Sequence, residues 1–493
     1  MVGEGRTFLK QSSHYLTGSI LIMASSFISF PILTRILSVN DYGLLGLIST
    51  TVSFFMAITK LGFPVAIVRF YQEYKSKNQL NNFYSTFFFG SGAISISTCI
   101  LFFIFGPLIF KYLDRNIIEL LPLITILLFS NSIVITYACF LRAEQRTKLY
   151  NLIMVLGRYG SLASGLILVL FFRNKLYGFY AGTVIAGIMT FFLMIYILYR
   201  KEKIVFSSFS KKILTESIRF GFPLVIVEIG SLIINYGDRF IIQIYLGSLS
   251  LGLYIAGYNI ATYVNEIIVY PIREALGPIY MNLIVNQGED KTKYFLTKVF
   301  KYFLLINIPV VFGFIAVGKD LIAVLASSKY LECISILPYI VIGQSIHACS
   351  HILDIGLIIK KKTHLVTITV LLAGLVNIGL NLLLIPYFGI IGAGQSTLIS
   401  YVFYTYLIKY FAFKEFSFKI EYRNIFIYVI ISFAMYLVIN LIDSGVPFIN
   451  LITKMSLGVI IYTALILVCD KNVKNEALKL IGQYKLVKKN KII

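Results

Sequence analysis

A handful of charged and imidazole side chains stand where the sequence is otherwise apolar. Lys60 lies in "FFMAITKLGFP" (54–64), Arg158 in "LIMVLGRYGSLASG" (152–165), and Asp238 and Arg239 adjoin in "SLIINYGDRFIIQIYLG" (231–247). Glu228, Glu266 and Asp354 occupy further apolar stretches, and His347 and His351 precede Asp354. At helical spacing these residues fall on polar stripes: Ser49, Ser53 and Lys60; Asn151, Arg158 and Gly165; Asn259, Tyr263, Glu266 and Tyr270. Glu228, Asn235 and Arg239 fall within about 40° of one another. Gln344, His347, His351 and Asp354 form the most polar stripe of all. Their chemistry divides in two. Arg is a bidentate fork for phosphate and Lys a point charge, whereas buried carboxylates and histidines relay protons or hold cations.

The elements that carry these stripes follow from composition. The 493 residues are 58% hydrophobic and 13% charged, with a mean hydropathy of +0.85, against about 25% charged in soluble domains. Fourteen apolar runs reach spanning length, from about 13–34 to 450–469, among them 218–246, 251–271, 364–385 and 390–411. Backbone in lipid must bond to itself, so the runs are helices or a closed barrel. Unbroken runs without ten-residue alternation exclude the barrel. The first run has full length and no small-residue cleavage site after it, so it reads as a span rather than a signal peptide.

Orientation explains the net charge of +22. Of 44 Lys and Arg, 33 fall on the termini and the loops after even-numbered spans, seven on the alternate loops and four in or at the ends of spans. Positive charge marks the cytoplasmic side, so both termini are expected inside and no nucleic-acid partner is expected. "GSLS" (247–250) and "PYFG" (386–389) are expected as short outer turns, and the basic stretch 200–217 as a cytoplasmic linker lying on the membrane surface. Five singly placed cysteines read as small apolar fillers. No metal centre or nucleotide motif is expected. The His347/His351 pair lacks the H-E-x-x-H context of a zinc site.

A repeat is visible at an offset of 209, where Leu37 and Gly43 align with Leu246 and Gly252, and at 211, where Gly178 aligns with Gly389. Six spans per repeat put both copies in the same orientation, related by an axis along the membrane normal, with substrate between them.

The stretches "FPILTRILSVNDYGLLG" (30–46), "LGFPVAIVRFYQEYK" (61–75), "DRFIIQIYLGSLSLGLYIAGYNIA" (238–261) and "KKTHLVTITVLLAGLVNIGLNLLLIPYFGIIGAGQSTLISY" (361–401) carry a resemblance. The chain resembles the polysaccharide-biosynthesis flippases, the lipid-linked-oligosaccharide branch of the multidrug/oligosaccharidyl-lipid/polysaccharide exporter superfamily. The resemblance implies an all-α membrane protein of about 14 transmembrane helices. Two six-helix lobes, 1–199 and 218–411, would flank the linker, with two further helices and a basic tail over 412–493. It also implies a bacterial inner-membrane flippase that moves an undecaprenyl-diphosphate-linked oligosaccharide to the outer leaflet by alternating access, beside a polymerase and other assembly proteins.

The residue chemistry agrees with such a cargo. Spans one to six carry Lys60 and Arg158, with Arg35 and Arg69 near their ends and no acid inside. Spans seven to twelve carry Glu228, Asp238, Glu266 and Asp354 with Arg239 the one base. Lys60, Arg158, Arg35, Asn151, Arg239 and Asn235 are therefore assigned to diphosphate and glycan, and Asp354, Glu266, His351, His347 and Glu228 to coupling with H⁺ or Na⁺, without a cofactor. Structural readings stand beside these. Asp238–Arg239 either lines the cavity or braces the outer end of its helix. Lys60 either binds substrate or snorkels. Glu228 either couples or neutralises Arg239. Asn377 and Asn381 read as helix–helix hydrogen bonds. The competing classes are a peptidoglycan-precursor flippase, a multidrug antiporter with an acid-lined cavity, and a membrane-embedded polymerase. The short outer loops disfavour the polymerase.

Overall fold

The computed structural model describes residues 2–200, 204–470 and 472–475. The side chains of 2–16 and of several positions between 264 and 278, Glu266 among them, lie outside the described set. Two compact units divide the chain, Met1–Ile255 and Ala256–Ile493. The first contains α1 (Val2–Ile36), α2 (Val39–Lys60), α3 (Phe63–Ser76), α4 (Leu80–Leu113), α5 (Leu121–Ala143), α6 (Thr147–Phe171), α7 (Lys175–Tyr199), α8 (Lys211–Tyr236) and the start of α9 (Asp238–Leu325). The second contains the rest of α9, then α10 (Leu337–Leu353), α11 (Ile355–Ile359), α12 (Thr363–Glu415), α13 (Tyr422–Asn440) and α14 (Pro447–Cys469). No strand occurs among the described residues.

Local chemistry starts these helices. Ser38 accepts from the Asp41 amide and donates to its carboxylate, closing the first turn of α2. Asn174 and Ser210 cap α7 and α8 through Tyr177 and Ile213. Pro64, Pro122, Pro338 and Pro447 open α3, α5, α10 and α14, where the missing amide hydrogen costs nothing.

Twelve helical stretches among the described residues are long and apolar enough to cross a membrane. Two of them, Lys211–Tyr263 and Thr363–Glu415, have 53 residues each, or about 80 Å of helix, more than twice a hydrocarbon core. Each doubles back on itself. Gly247 has φ +76° and Gly389 φ +60°, which a right-handed helix cannot contain. Tyr254 donates to Asp238 across the first break, and Asn377 donates to Ser400 at 3.3 Å across the second. In straight helices those partners would stand roughly 24 and 35 Å apart. Each stretch is thus two passes, and fourteen passes result, with reversals at the turns expected from sequence. Gly288, φ +83°, interrupts α9 once more.

The expected turn at 247–250 differs in one respect. Ser248 is not a free loop residue; it is buried, hydrogen-bonded with Gln243 and donating to Asp114 at 3.1 Å. A turn of one glycine leaves Ser248 inside the helix pair.

Of the two repeat matches, the first falls in register. Val39 opens α2, and Ser248, 209 positions later, opens the pass after Gly247. Gly43 and Gly252 then meet, since a Cβ on Gly43 would lie 2.1 Å from the Ser248 carbonyl and one on Gly252 2.0 Å from that of Val39. The second match does not: Gly178 lies in the first turn of α7, whereas Gly389 is itself the reversal.

Loops of like charge meet one another. In the first unit Tyr74 donates to Glu216 at 2.9 Å, and the Val205 and Ser210 amides donate to Ser85 and Thr86, pinning the linker to α4. At the other end Lys175 donates to the Ile36 carbonyl and Ser248 to Asp114. In the second unit Lys360 pairs with Glu289 and Lys362 with Glu415. Loops after even-numbered passes therefore share one end of each unit, as the alternation of Lys and Arg requires.

Candidate functional site

In the first unit the charges form two groups. On α6 the Arg158 guanidinium is exposed and aims at α1, donating to Ser25 Oγ at 3.1 Å and Ser26 Oγ at 2.9 Å. Among the described residues no carboxylate pairs with it. Tyr159 beside it donates to the Leu21 carbonyl. Asn151, two turns earlier, packs where a Cβ on Gly18 would touch it at 2.5 Å. Arg35 lies at the end of α1, exposed, donating to the Pro31 carbonyl. This group is cationic and lined by hydroxyls.

The second group spans α2, α8 and α9. Lys60 Nζ lies 2.7 Å from Glu228 Oε1, the lysine 16% and the glutamate 42% exposed. This pairing bears on two of the structural readings that stood beside the site assignments. Glu228 neutralises Lys60 rather than Arg239, and Lys60 reaches an acid rather than an interface. Helical phase alone related Glu228 to its neighbours on α8 and could not show the opposing helix. Arg239 is buried, donates to Thr50 Oγ1 at 3.0 Å and lies over the Tyr236 ring at 4.5 Å. Asp238 is fully buried and accepts from Tyr254. The Asp238–Arg239 dipeptide thus braces the reversal and ties it to α2. Asn235 donates to the Ser231 carbonyl within α8.

In the second unit His347 stacks on Tyr401 at 4.6 Å between centroids, with Tyr404 at 5.3 Å and His351 edge-on at 5.2 Å. Gln344 donates to Thr262 at 2.8 Å, and Tyr258 shares a hydrogen bond with Tyr401. Asp354 interrupts the helix between α10 and α11, its carbonyl accepting from Leu357. Its carboxylate has no ion-pair partner among the described residues, and Tyr280 and Tyr404 are its electrostatic neighbours. Asn377 and Asn381 hydrogen-bond to each other and across the α12 reversal. Glu266 lies outside the described side chains. Among the described residues no cluster of His, Cys, Asp and Glu is placed to hold a metal ion.

Sequence reasoning missed Ser25, Ser26 and Thr50, whose hydroxyls aim the two arginines. It also missed Asp320, which lies 2.8 Å from Lys454 inside the second unit. Lys454 in an apolar run was the available signal, since a buried ammonium needs a counter-charge.

Fourteen passes, broken by single glycines and carrying paired and unpaired charges, define a polytopic α-helical membrane protein. The structure resembles that of the lipid II flippase MurJ in an inward closed conformation, with a TM-score of 0.74 at 18% identity over 94% of this chain and 99% of that one. An inward-facing multidrug resistance MATE transporter of the MOP superfamily matches with a TM-score of 0.59 at 15% identity, covering 80% and 93%. An uncharacterized membrane protein of Methanocaldococcus jannaschii is 24% identical over 416 residues, 77% of this chain and 80% of its own. The family described as "Polysaccharide biosynthesis protein" matches residues 8–284, more than half of the chain. The chain belongs to that family.

Proposed function

We propose that this protein carries a lipid-diphosphate-linked oligosaccharide from the cytoplasmic to the outer leaflet of a bacterial inner membrane by alternating access. The observation that carries the reading is Arg158. Its guanidinium stands exposed on a spanning helix, aimed by two hydroxyls, with no carboxylate among the described residues to satisfy it. Such a charge costs about 2.5–3.5 kcal/mol to insert. A diphosphate offers it a bidentate partner that two serines do not. Lys60 supplies a second cation on α2. Membership of the polysaccharide biosynthesis family supports a glycan as the cargo. Every such lipid presents the same diphosphate, so Arg158 selects the linkage and not the sugars.

The excess of Lys and Arg on the termini and even loops supports cytoplasmic termini. Transport in one direction needs an energy source, and Asp354, without an ion-pair partner among the described residues and at helical spacing from His347 and His351, is the candidate for H⁺ or Na⁺ coupling.

The test is translocation of a fluorescent undecaprenyl-diphosphate oligosaccharide in proteoliposomes. Arg158→Ala is expected to abolish it and Arg158→Lys to leave part. Full translocation by Arg158→Ala at equal incorporation would overturn the reading. A cation-exporting relative of the MATE type would instead move organic cations and be indifferent to Arg158.

A further inference from the structure

Lys60 and Glu228 stand beside a second contact between the same helices. Leu61 (φ +44°) and Gly62 (φ +72°) break the chain between α2 and α3. At that break Gly62 touches Gly221 of α8 backbone to backbone: a Cβ on Gly62 would lie 2.4 Å from Gly221 Cα, and one on Gly221 2.9 Å from the Gly62 backbone. Gly221 and Glu228 are seven residues apart, two turns along one face of α8. The glycine contact and the ion pair therefore form one seam. Farther along α2, Arg239 holds Thr50, ten residues or about 15 Å from Lys60.

We propose that the Lys60–Glu228 pair is a latch that substrate releases, with Glu228 occupying Lys60 in place of a phosphate. The proposal rests on Lys60 being a diphosphate-binding cation. The ammonium is sheltered and the carboxylate is the more open of the two, so an incoming anion reaches the lysine by displacing the glutamate. A diphosphate carries more charge than a carboxylate and accepts from the same Nζ. Once displaced, Glu228 no longer holds α8 to α2. What remains between α2 and α8 at the seam is dispersion between the Gly62 and Gly221 backbones, which contributes little. Phe70 against Phe220 and Tyr74 on Glu216 keep α3 on α8 below the seam, and Arg239 on Thr50 holds α8–α9 to α2 above it, so the parting is confined to the Lys60 level between these two anchors. Differential affinity is built in, as coupling requires: with the seam closed Lys60 is occupied, and with it open Lys60 is available. Glu228 is on this account a positioning residue, acting through Lys60.

The experiment places spin labels on Ile58→Cys and Ile226→Cys, both exposed on α2 and α8, in full-length protein with Cys349 and Cys469 replaced by Ala. Inter-label distance is read in nanodiscs with and without undecaprenyl diphosphate, whose binding is counted by native mass spectrometry. The otherwise native protein is expected to shift from a short to a longer distance on binding. Glu228→Gln is expected to show the longer distance without lipid. Lys60→Glu with Glu228→Lys is expected to restore the short distance and lose the response. A short distance retained in Glu228→Gln, a swap that stays long, or bound lipid without a shift each overturns the latch and leaves Arg158 in place. Undiminished lipid binding by Lys60→Met overturns the latch at its premise, the lysine itself.

Discussion

Lys454 of α14 lies 2.8 Å from Asp320 of α9, and both are nearly buried. Asn450 donates to Asp320 from the same side, at 3.2 Å, and to Asp443 at 3.0 Å. This network fastens the last helix to the second unit. Removing one partner of a buried pair leaves the other charge uncompensated, at about 3–5 kcal/mol. Lys454→Met is therefore expected to lower the thermal midpoint of the purified protein by several degrees. Lys454→Met with Asp320→Leu is expected to recover most of the loss. Equal midpoints for the parent and Lys454→Met would show that the pair holds nothing.

Ser25 and Ser26 aim Arg158 without carrying charge. Hydrogen bonds to charged groups contribute about 1.5–3 kcal/mol, so Ser25→Ala with Ser26→Ala is expected to slow translocation roughly tenfold at unchanged abundance. The defect is expected to be milder than that of Arg158→Ala. Translocation rates in proteoliposomes decide it.

Loop alternation makes a sidedness prediction. With Cys469 replaced, Arg173→Cys is expected to react with a membrane-impermeant maleimide on intact cells. Lys77→Cys is expected to react only after lysis. The reverse pattern would invert the proposed topology.

Asp354→Asn keeps the shape and hydrogen-bonding reach of the side chain while removing its charge. Translocation by this variant is expected to lose its response to an imposed proton or Na⁺ gradient while substrate binding persists. A full response would assign Asp354 to holding the α10–α11 junction.

Asp470, just past α14, makes stability depend on pH. Burial acts to raise its pKa. The Val473 amide, the charge of Lys301 at 3.4 Å, the Tyr428 hydroxyl and the Asn472 amide outweigh it, holding the carboxyl below its ordinary value of 3.8. A depressed folded-state pKa contributes stability above the unfolded value and loses it as pH falls through the folded one. Denaturation of the parent between about pH 5 and pH 2 is expected to steepen relative to Asp470→Asn. Parallel curves would remove Asp470 from the acid response.

The passes were legible because lipid makes a severe demand on composition, and runs such as 83–110 satisfy it in only one way. Reversals at 247 and 389 were legible because glycine was the residue that a turn without a loop needs. Arg158 was legible as a charge within an apolar run, in a half of the chain whose spans were read as carrying no acid. The partner of Lys60 was not. Helical phase assigns residues to faces of one helix, and Glu228 comes from another helix 168 positions away. Ser25 and Ser26 were hidden for the complementary reason, since hydroxyls are common in spans and usually bond their own backbone, as Thr34 and Ser53 do.

The reversals at Gly247 and Gly389 also constrain how the chain enters the membrane during synthesis. A pair of passes joined by one glycine has no tether long enough for one to wait outside while the other settles. Each pair must partition as a helical hairpin. For the first pair this resolves a difficulty of biogenesis: residues 211–246 carry Glu228, Asp238 and Arg239, which would burden a helix entering alone. Entering with 248–263, that segment brings Tyr254 to Asp238 before any later pass exists, so the hairpin and not the single helix is the unit of insertion.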